Sequence, residues 1–263
     1  MDTLITVLGT NLLLVMTLMI GLWLISIPLR DVSYIDSFWA LGMVIVAGTT
    51  YIMVEGVAQR QQLLLLLTSI WGLRLGLHLL LRWRREGPDR RYMALLAKAP
   101  GNPHFYSLRK VFLTQGPLLW LVTLPVQLGQ IDSVPAVLGP LAVVGTGLAV
   151  TGIAFETIGD WQLTHFKANP ANTGMVMDRG LWRYTRHPNY FGDACVWWGL
   201  YFIAAETVSG RWAFISPVFL TFILIRWSGA ALLERRLKRS RPGYAEYIAR
   251  TSGFIPWPPK RER

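Results

Sequence analysis

Two acids, a run of cations and a helix start fall together in one stretch of this chain. Residues 159–193 read GDWQLTHFKANPANTGMVMDRGLWRYTRHPNYFGD. Glu156 and Asp160 stand one helical turn apart at its edge, and Lys167, Arg179, Arg183, Arg186 and His187 supply positive charge within it. Pro188 opens a helix with Asn189 and Tyr190 in its first turn, as suits a residue with no N–H to donate. Free N–H groups and the positive dipole end there favour an anion. Asn189, Asp193 and Trp197 recur every four residues and so share one helix face. Carboxylates can accept from ribose hydroxyls or an amide, and basic side chains can hold phosphate. The pattern fits a phosphate-bearing cofactor. It fits equally a set of cytosolic charges resting on anionic headgroups, with Asp193 paired to Arg186 or Arg226.

A second group lies nearer the N-terminus. Asp36 and Trp39 open an apolar segment in DVSYIDSFWALG, and Trp71, Arg74 and His78 follow one another at helical spacing in the next. Ionisable groups inside a membrane are costly and mark functional pockets or tight pairs. Asp36, Arg74 and His78 are candidates to orient and polarise a substrate, with Trp39 and Trp71 beside it. An Asp36–Arg74 pair that only locks two helices is the other reading. The tail adds Glu234, then Tyr244 and Tyr247 three residues apart, with Arg250 another three on. That segment is expected to fold back as a lid, or to lie in the interface as an amphipathic helix.

The elements that must carry these residues are membrane spans. Hydrophobic residues make up 52% of the 263, and only 16% are charged, against about 25% in a soluble domain. The apolar residues come in blocks at about 3–27, 35–54, 62–82, 111–129, 135–157, 189–206 and 212–233, each near the ~20 residues a span needs. An all-α membrane protein of about seven transmembrane helices follows. The first 27 residues hold no Lys or Arg, so they lack the basic start of a secretory signal and read as a retained first span.

Placing the N-terminus outside puts 28–34, 83–110, 158–188 and 234–263 on the cytosolic side. These hold most of the 26 Lys and Arg residues, while the outer connections hold only Arg60 and Arg211. That asymmetry is the positive-inside signal, and it leaves the C-terminus cytosolic. Net charge is +11, but the long apolar runs argue against nucleic acid as a partner. The single Cys195 allows no internal disulfide. No G-x-G-x-x-G follows a strand, and no HExxH, CxxC or P-loop occurs, so no metal is suggested. Gly145, Gly147 and Gly152 lie mid-span and read as close helix packing. The chain reads as a single transmembrane domain over 1–263.

LWRYTRHPNYFGDACVWWG, with GDWQL before it and RPGYAEYIARTSGFIPWPPK after, resembles the C-terminal domain of the steroid 5-alpha-reductase superfamily. The likeness is nearest to a bacterial membrane branch, where it includes RDVSYIDSFWALG and WGLRLGLHLL. It implies a seven-span fold, with 1–129 as substrate-side helices and 130–263 as a half that grips NADPH from the cytosol. It implies that Asp160, Lys167, Asn189 and Asp193 line the cofactor, that Trp197, counted with them, matches a tryptophan beside the substrate, that Arg90 and Tyr92 of DRRY contact the adenosine side, and that Asp36 meets the substrate carbonyl. Arg186, His187, Tyr190, Glu234, Tyr244 and Tyr247 are counted with the cofactor contacts. The reductases carry a tyrosine in the third span where spacing gives Trp71 here, which leaves Arg74 or His78 to polarise the carbonyl. A second departure puts Ala230, Ala231 and Glu234 in place of histidines and a tyrosine.

The expected activity is an NADPH-dependent reduction of an unsaturated, lipid-like substrate in the bacterial inner membrane, with the site facing the cytosol. RHPNY also marks isoprenylcysteine and phospholipid methyltransferases that use S-adenosylmethionine. That is the alternative, and a non-catalytic lipid-binding protein is a third reading.

Overall fold

The computed structural model describes residues 2–227, 234 and 237–260. Among these there is no β-strand, and helices follow one another from end to end. Five stretches are long and apolar enough to cross a membrane: Thr3–Leu29, Ile35–Met53, Ala58–Glu86, Pro140–Ala168 and Val208–Arg226. They coincide with five of the seven apolar blocks in the sequence. Ala230, Ala231 and the end of the last expected span lie outside the described residues.

The other two blocks are helical but built differently. Residues 111–129 begin in a π-helical turn, Leu108–Phe112, and continue as a helix Leu113–Val122 that contains Pro117. The helix stops at Thr123 and resumes over Leu124–Leu128 with Pro125 in its first turn. A proline removes one backbone donor and crowds the preceding turn, so a segment with two of them breaks. Thr123 covers part of the break, its hydroxyl donating to Leu119 O and Trp120 O. Residues 189–206 become a 17-residue helix, Pro188–Ala204.

The chain divides into two compact units. One runs to Val143 and takes back Leu200–Ser216; the other holds Val144–Gly199 and the chain after Pro217. We label the main helices α1 (Asp2–Leu29), α2 (Ile35–Met53), α3 (Ala58–Glu86), α4 (Arg90–Leu96), α5 (Pro103–Ser107), α6 (Leu113–Val122), α7 (Leu124–Leu128), α8 (Pro140–Ala168) and α9 (Pro188–Ala204).

In the first unit α2 and α3 pack closely because glycines face the contact. A β-carbon on Gly72 would sit 2.8 Å from Ala40 O, and one on Gly76 would sit 2.7 Å from Leu41 Cγ. Small residues let backbones approach where lipid gives helices no hydrophobic drive to associate. A polar seam crosses this unit. Asn11 Nδ2 donates to Thr50 Oγ1 at 2.8 Å and to Gln127 Oε1 at 3.1 Å, and all three residues are fully buried. Arg60, also buried, donates to Asp132 O and Pro135 O.

The second unit is organised by the crossing of α8 and α9. A β-carbon on Gly192 would lie 2.6 Å from Gly152 O, and one on Gly199 only 2.4 Å from Gly145 O. Of the three glycines expected to pack, Gly147 faces open space; it sits two residues past Gly145, on the opposite side of the helix.

Gly192→Leu is therefore expected to destabilise the detergent-solubilised chain by about 1–3 kcal/mol or more, since backbone rather than a flexible side chain blocks the way. Gly147→Leu should stay within about 0.5 kcal/mol. Thermal unfolding followed by intrinsic tryptophan fluorescence distinguishes the two.

Candidate functional site

The second unit holds most of the expected cofactor residues, with Asp160 and Asn189 meeting beside the α8–α9 crossing. Trp182 Nε1 donates to Gly159 O, and Leu181 N donates to Gln162 Oε1. These bonds hold the loop that enters α9 against the end of α8. Gly180 is needed there: its φ is +59°, and a β-carbon would strike Gln162 at 2.2 Å. Next to this crossing Asn189 Nδ2 donates to Asp160 Oδ1 at 3.3 Å. Asp160 and Glu156 are both nearly buried. Asp193 is half-buried one turn further along α9, and Trp197 is fully buried a turn beyond that. Lys167, Arg179 and Arg183 are exposed.

A second cluster of the same unit centres on Arg186. Its Nε donates to Glu234 Oε1 at 2.7 Å and its Nη2 to Glu234 Oε2 at 3.2 Å. Nη1 donates to Ile248 O at 3.2 Å and Thr251 O at 2.5 Å. Four of the five guanidinium donors are thus engaged by the chain itself. His187 Nε2 lies 2.9 Å from the same Glu234 oxygen, and its ring stacks on Tyr190 at 5.3 Å. Burial works against a charge on Glu234, but the hydrogen bonds from His187 and Arg186, with their positive charge, hold its carboxyl down at about 2.

The tail is tied along this entry loop. Arg186 N donates to Ser252 O, Thr185 Oγ1 to Phe254 O, Trp257 N to Tyr184 O and Tyr247 Oη to Trp182 O. Arg250 pairs with Asp178. Tyr244 and Tyr247 are buried with ring centres 5.7 Å apart, and burial pushes the Tyr244 phenol up to about 12. Within this unit the tail acts as a strap on residues 178–187. Arg186, His187, Glu234 and Tyr247 hold the site's scaffold together, with Asp160 and Asn189 beside it.

The first unit brings Asp36 into a cluster the sequence did not disclose. Tyr92 Oη donates to Asp36 Oδ1 at 2.6 Å, and Gln115 Nε2 donates to Tyr92 Oη at 3.1 Å. Arg91 Nη2 donates to Asp36 Oδ2 at 2.8 Å and to Asp89 Oδ2 at 2.9 Å. Asp89 caps α4 by accepting from Arg91 N, which sets the helix so that Arg91 and Tyr92 reach Asp36. Burial raises the Tyr92 phenol pKa, and the charge and hydrogen bond of Asp36 raise it further, so the phenol keeps its proton. Burial would lower the Arg91 pKa, but Asp89 and Asp36 outweigh it and hold the guanidinium charged. Arg90, the other arginine of the pair, is exposed. On α3, Trp71 is buried and Arg74 and His78 are half-buried one turn apart; Trp39 on α2 is half-buried.

Sequence reasoning placed Tyr92 with a cofactor and missed Arg91 and Gln115. The available signal was Asp89, a capping residue that fixes which of the next residues point inward. Among the described residues no group of three or more His, Cys, Asp or Glu side chains could hold a metal ion.

A family described as "Protein of unknown function (DUF1295)" matches residues 22–251, most of the chain. No curated protein and no solved structure matches it.

Because Glu234 is held at about 2, against an ordinary 4.5, the stability it adds should be complete above about 4.5 and fade as pH falls from there towards 2. Melting temperatures from neutral pH down through that window should drop in the parent. Glu234→Gln should start lower at neutral pH and lose less across the window; parallel curves would remove the clamp's role.

Proposed function

The chain belongs to the DUF1295 family, and we propose that it is a membrane NADPH-dependent reductase of an unsaturated, enone-like lipid or steroid-like substrate. The observation that carries this reading is the Tyr92–Asp36 bond of 2.6 Å, braced by Arg91 and Gln115. A protonated phenol that can turn its single O–H from Asp36 to a substrate, with a guanidinium alongside, is suited to polarise a carbonyl oxygen and to hold the negative charge that develops on it. Tyr92 thus takes the role that the sequence left to Arg74 or His78, which on α3 would shape the substrate's polar end.

The residues of the second unit suit a dinucleotide phosphate. Asp160 and Asn189 offer an acceptor and an amide for ribose and carboxamide groups, and Asp193 and Trp197 continue that helix face. Lys167, Arg179 and Arg183 offer cations to phosphate. S-adenosylmethionine carries no phosphate and has less use for such cations, which places the methyltransferase reading second. When bound, NADPH would supply the hydride. Tyr92 would turn its O–H from Asp36 to the carbonyl, Arg91 would hold the same oxygen, Gln115 would keep the phenol oriented through its own donation to Oη, and the Arg186–Glu234 clamp would keep the loop before Asn189 in place. We further propose that 111–129 and 189–206 also cross the bilayer. This gives seven spans, the N-terminus outside and the C-terminus and cofactor residues cytosolic, in a bacterial inner membrane.

Purified protein in detergent is expected to quench or enhance NADPH fluorescence with a micromolar dissociation constant. Asp160→Ala and Asn189→Ala should each weaken it about 10-fold, the loss of one buried charge-assisted hydrogen bond. Saturation by S-adenosylmethionine without NADPH binding by folded protein would transfer the reading to the methyltransferase. Tyr92→Phe should leave NADPH affinity unchanged while abolishing NADPH oxidation with an enone panel; unimpaired oxidation would remove Tyr92 from the chemistry.

A further inference from the structure

The first unit contains a hollow of about 230 Å³ at the end of α1, apart from the Asp36 cluster. Ser26, Arg30, Asp31 and Val32 form one wall, and Leu96 and His104 form part of the other. Its frame is fixed. Trp23 Nε1 donates to His104 O at 2.9 Å, tying α5 to α1. Asp31 accepts from Ser33 N, Ser33 Oγ and Trp83 Nε1 at 2.6–2.8 Å, so its carboxylate is turned to the basic end of α3, where Arg84 and Arg85 follow.

Arg30 is the unusual member. It is the one non-glycine residue with positive φ, at +52°, among those described. Glycine adopts that conformation freely, whereas a residue with a β-carbon is strained in it. A strained backbone kept at the rim of a cavity is a sign that the side chain is needed there. Arg30 is exposed, and no carboxylate among the described residues pairs with it. The hollow therefore offers the Arg30 guanidinium and His104 beside an apolar lining of Val32 and Leu96. Leading away from it, Leu24, Ile25 and Leu29 are about half exposed along α1. Phe105, 62% exposed, lies 6.2 Å from Trp23 in the manner of interfacial aromatics.

We propose that this hollow binds the phosphate group of an anionic membrane lipid, with Arg30 and His104 on the headgroup and the acyl chains along Leu24, Ile25 and Leu29. A free phosphate ion shares the headgroup chemistry, but it has no use for the apolar lining or the exposed track on α1.

The test uses the full chain in neutral detergent, with melting temperature and native mass spectrometry as readouts. Phosphatidylglycerol, phosphatidylcholine and inorganic phosphate are titrated separately. Phosphatidylglycerol is expected to raise the melting temperature of the parent and to be retained in the gas phase. Arg30→Gly should weaken that lipid about fivefold, the effect of one basic residue at an anionic surface, while leaving the lipid-free melting temperature equal or higher because the strain is relieved. His104→Gln should weaken it as well, without depending on the backbone of residue 30. Arg109→Gln, which removes an exposed cation outside the hollow, should change nothing. Undiminished phosphatidylglycerol binding by both Arg30→Gly and His104→Gln would overturn the proposal. So would an equal response to inorganic phosphate, or equal weakening by Arg109→Gln.

Discussion

A hydrocarbon surround supplies no hydrogen bonds, so every polar group within it must be answered by the chain itself. That constraint accounts for most of what is seen here. It makes the long apolar stretches of the described residues helical. It obliges Asn11, Thr50 and Gln127 to meet one another, and Arg60 to find Asp132 O and Pro135 O. It also explains why glycine sits wherever two backbones must touch, since lipid offers little reward for bringing larger apolar side chains together.

Where the chain leaves the apolar region, charge takes over as the organiser. Asp89 sets α4 and so delivers Arg91 and Tyr92 to Asp36. Glu234 collects Arg186 and His187, and Arg186 then uses two further donors on carbonyls of the tail. Both clusters share a design in which one carboxylate fixes a cation, and the cation or its neighbour fixes the group beside the candidate chemistry. In the first the group is a phenol; in the second it is the loop that ends at Asn189.

The spans were legible because length and apolarity are local properties: α1, α2, α3 and α8 are long runs without internal breaks. The segment at 111–129 reads equally apolar, yet it breaks at Thr123 just before Pro125, and hydropathy carries no record of backbone donors. Asp160 was legible at the end of one span and Asn189 at the start of the next helix, and the two meet. The partners of Asp36 were not legible, because Arg91 and Tyr92 lie 55 and 56 residues away and only the cap at Asp89 orients them. Trp71, matched by spacing to a tyrosine, is buried on α3, while a real phenol reaches Asp36 from α4. Spacing along one helix cannot reveal a group supplied by another.

The strap on residues 178–187 has a consequence for biogenesis. The carbonyls that receive Arg186 belong to Ile248 and Thr251, 62 and 65 residues downstream. At a ribosomal pace of about 5–20 residues per second, those acceptors emerge roughly 3–13 s after the arginine does. For that interval the turn leading into α9 has its helix but not its anchor. This half of the molecule therefore matures from its far end backwards, and a nascent chain halted before Ile248 would carry an insertion-competent but unfastened entry loop.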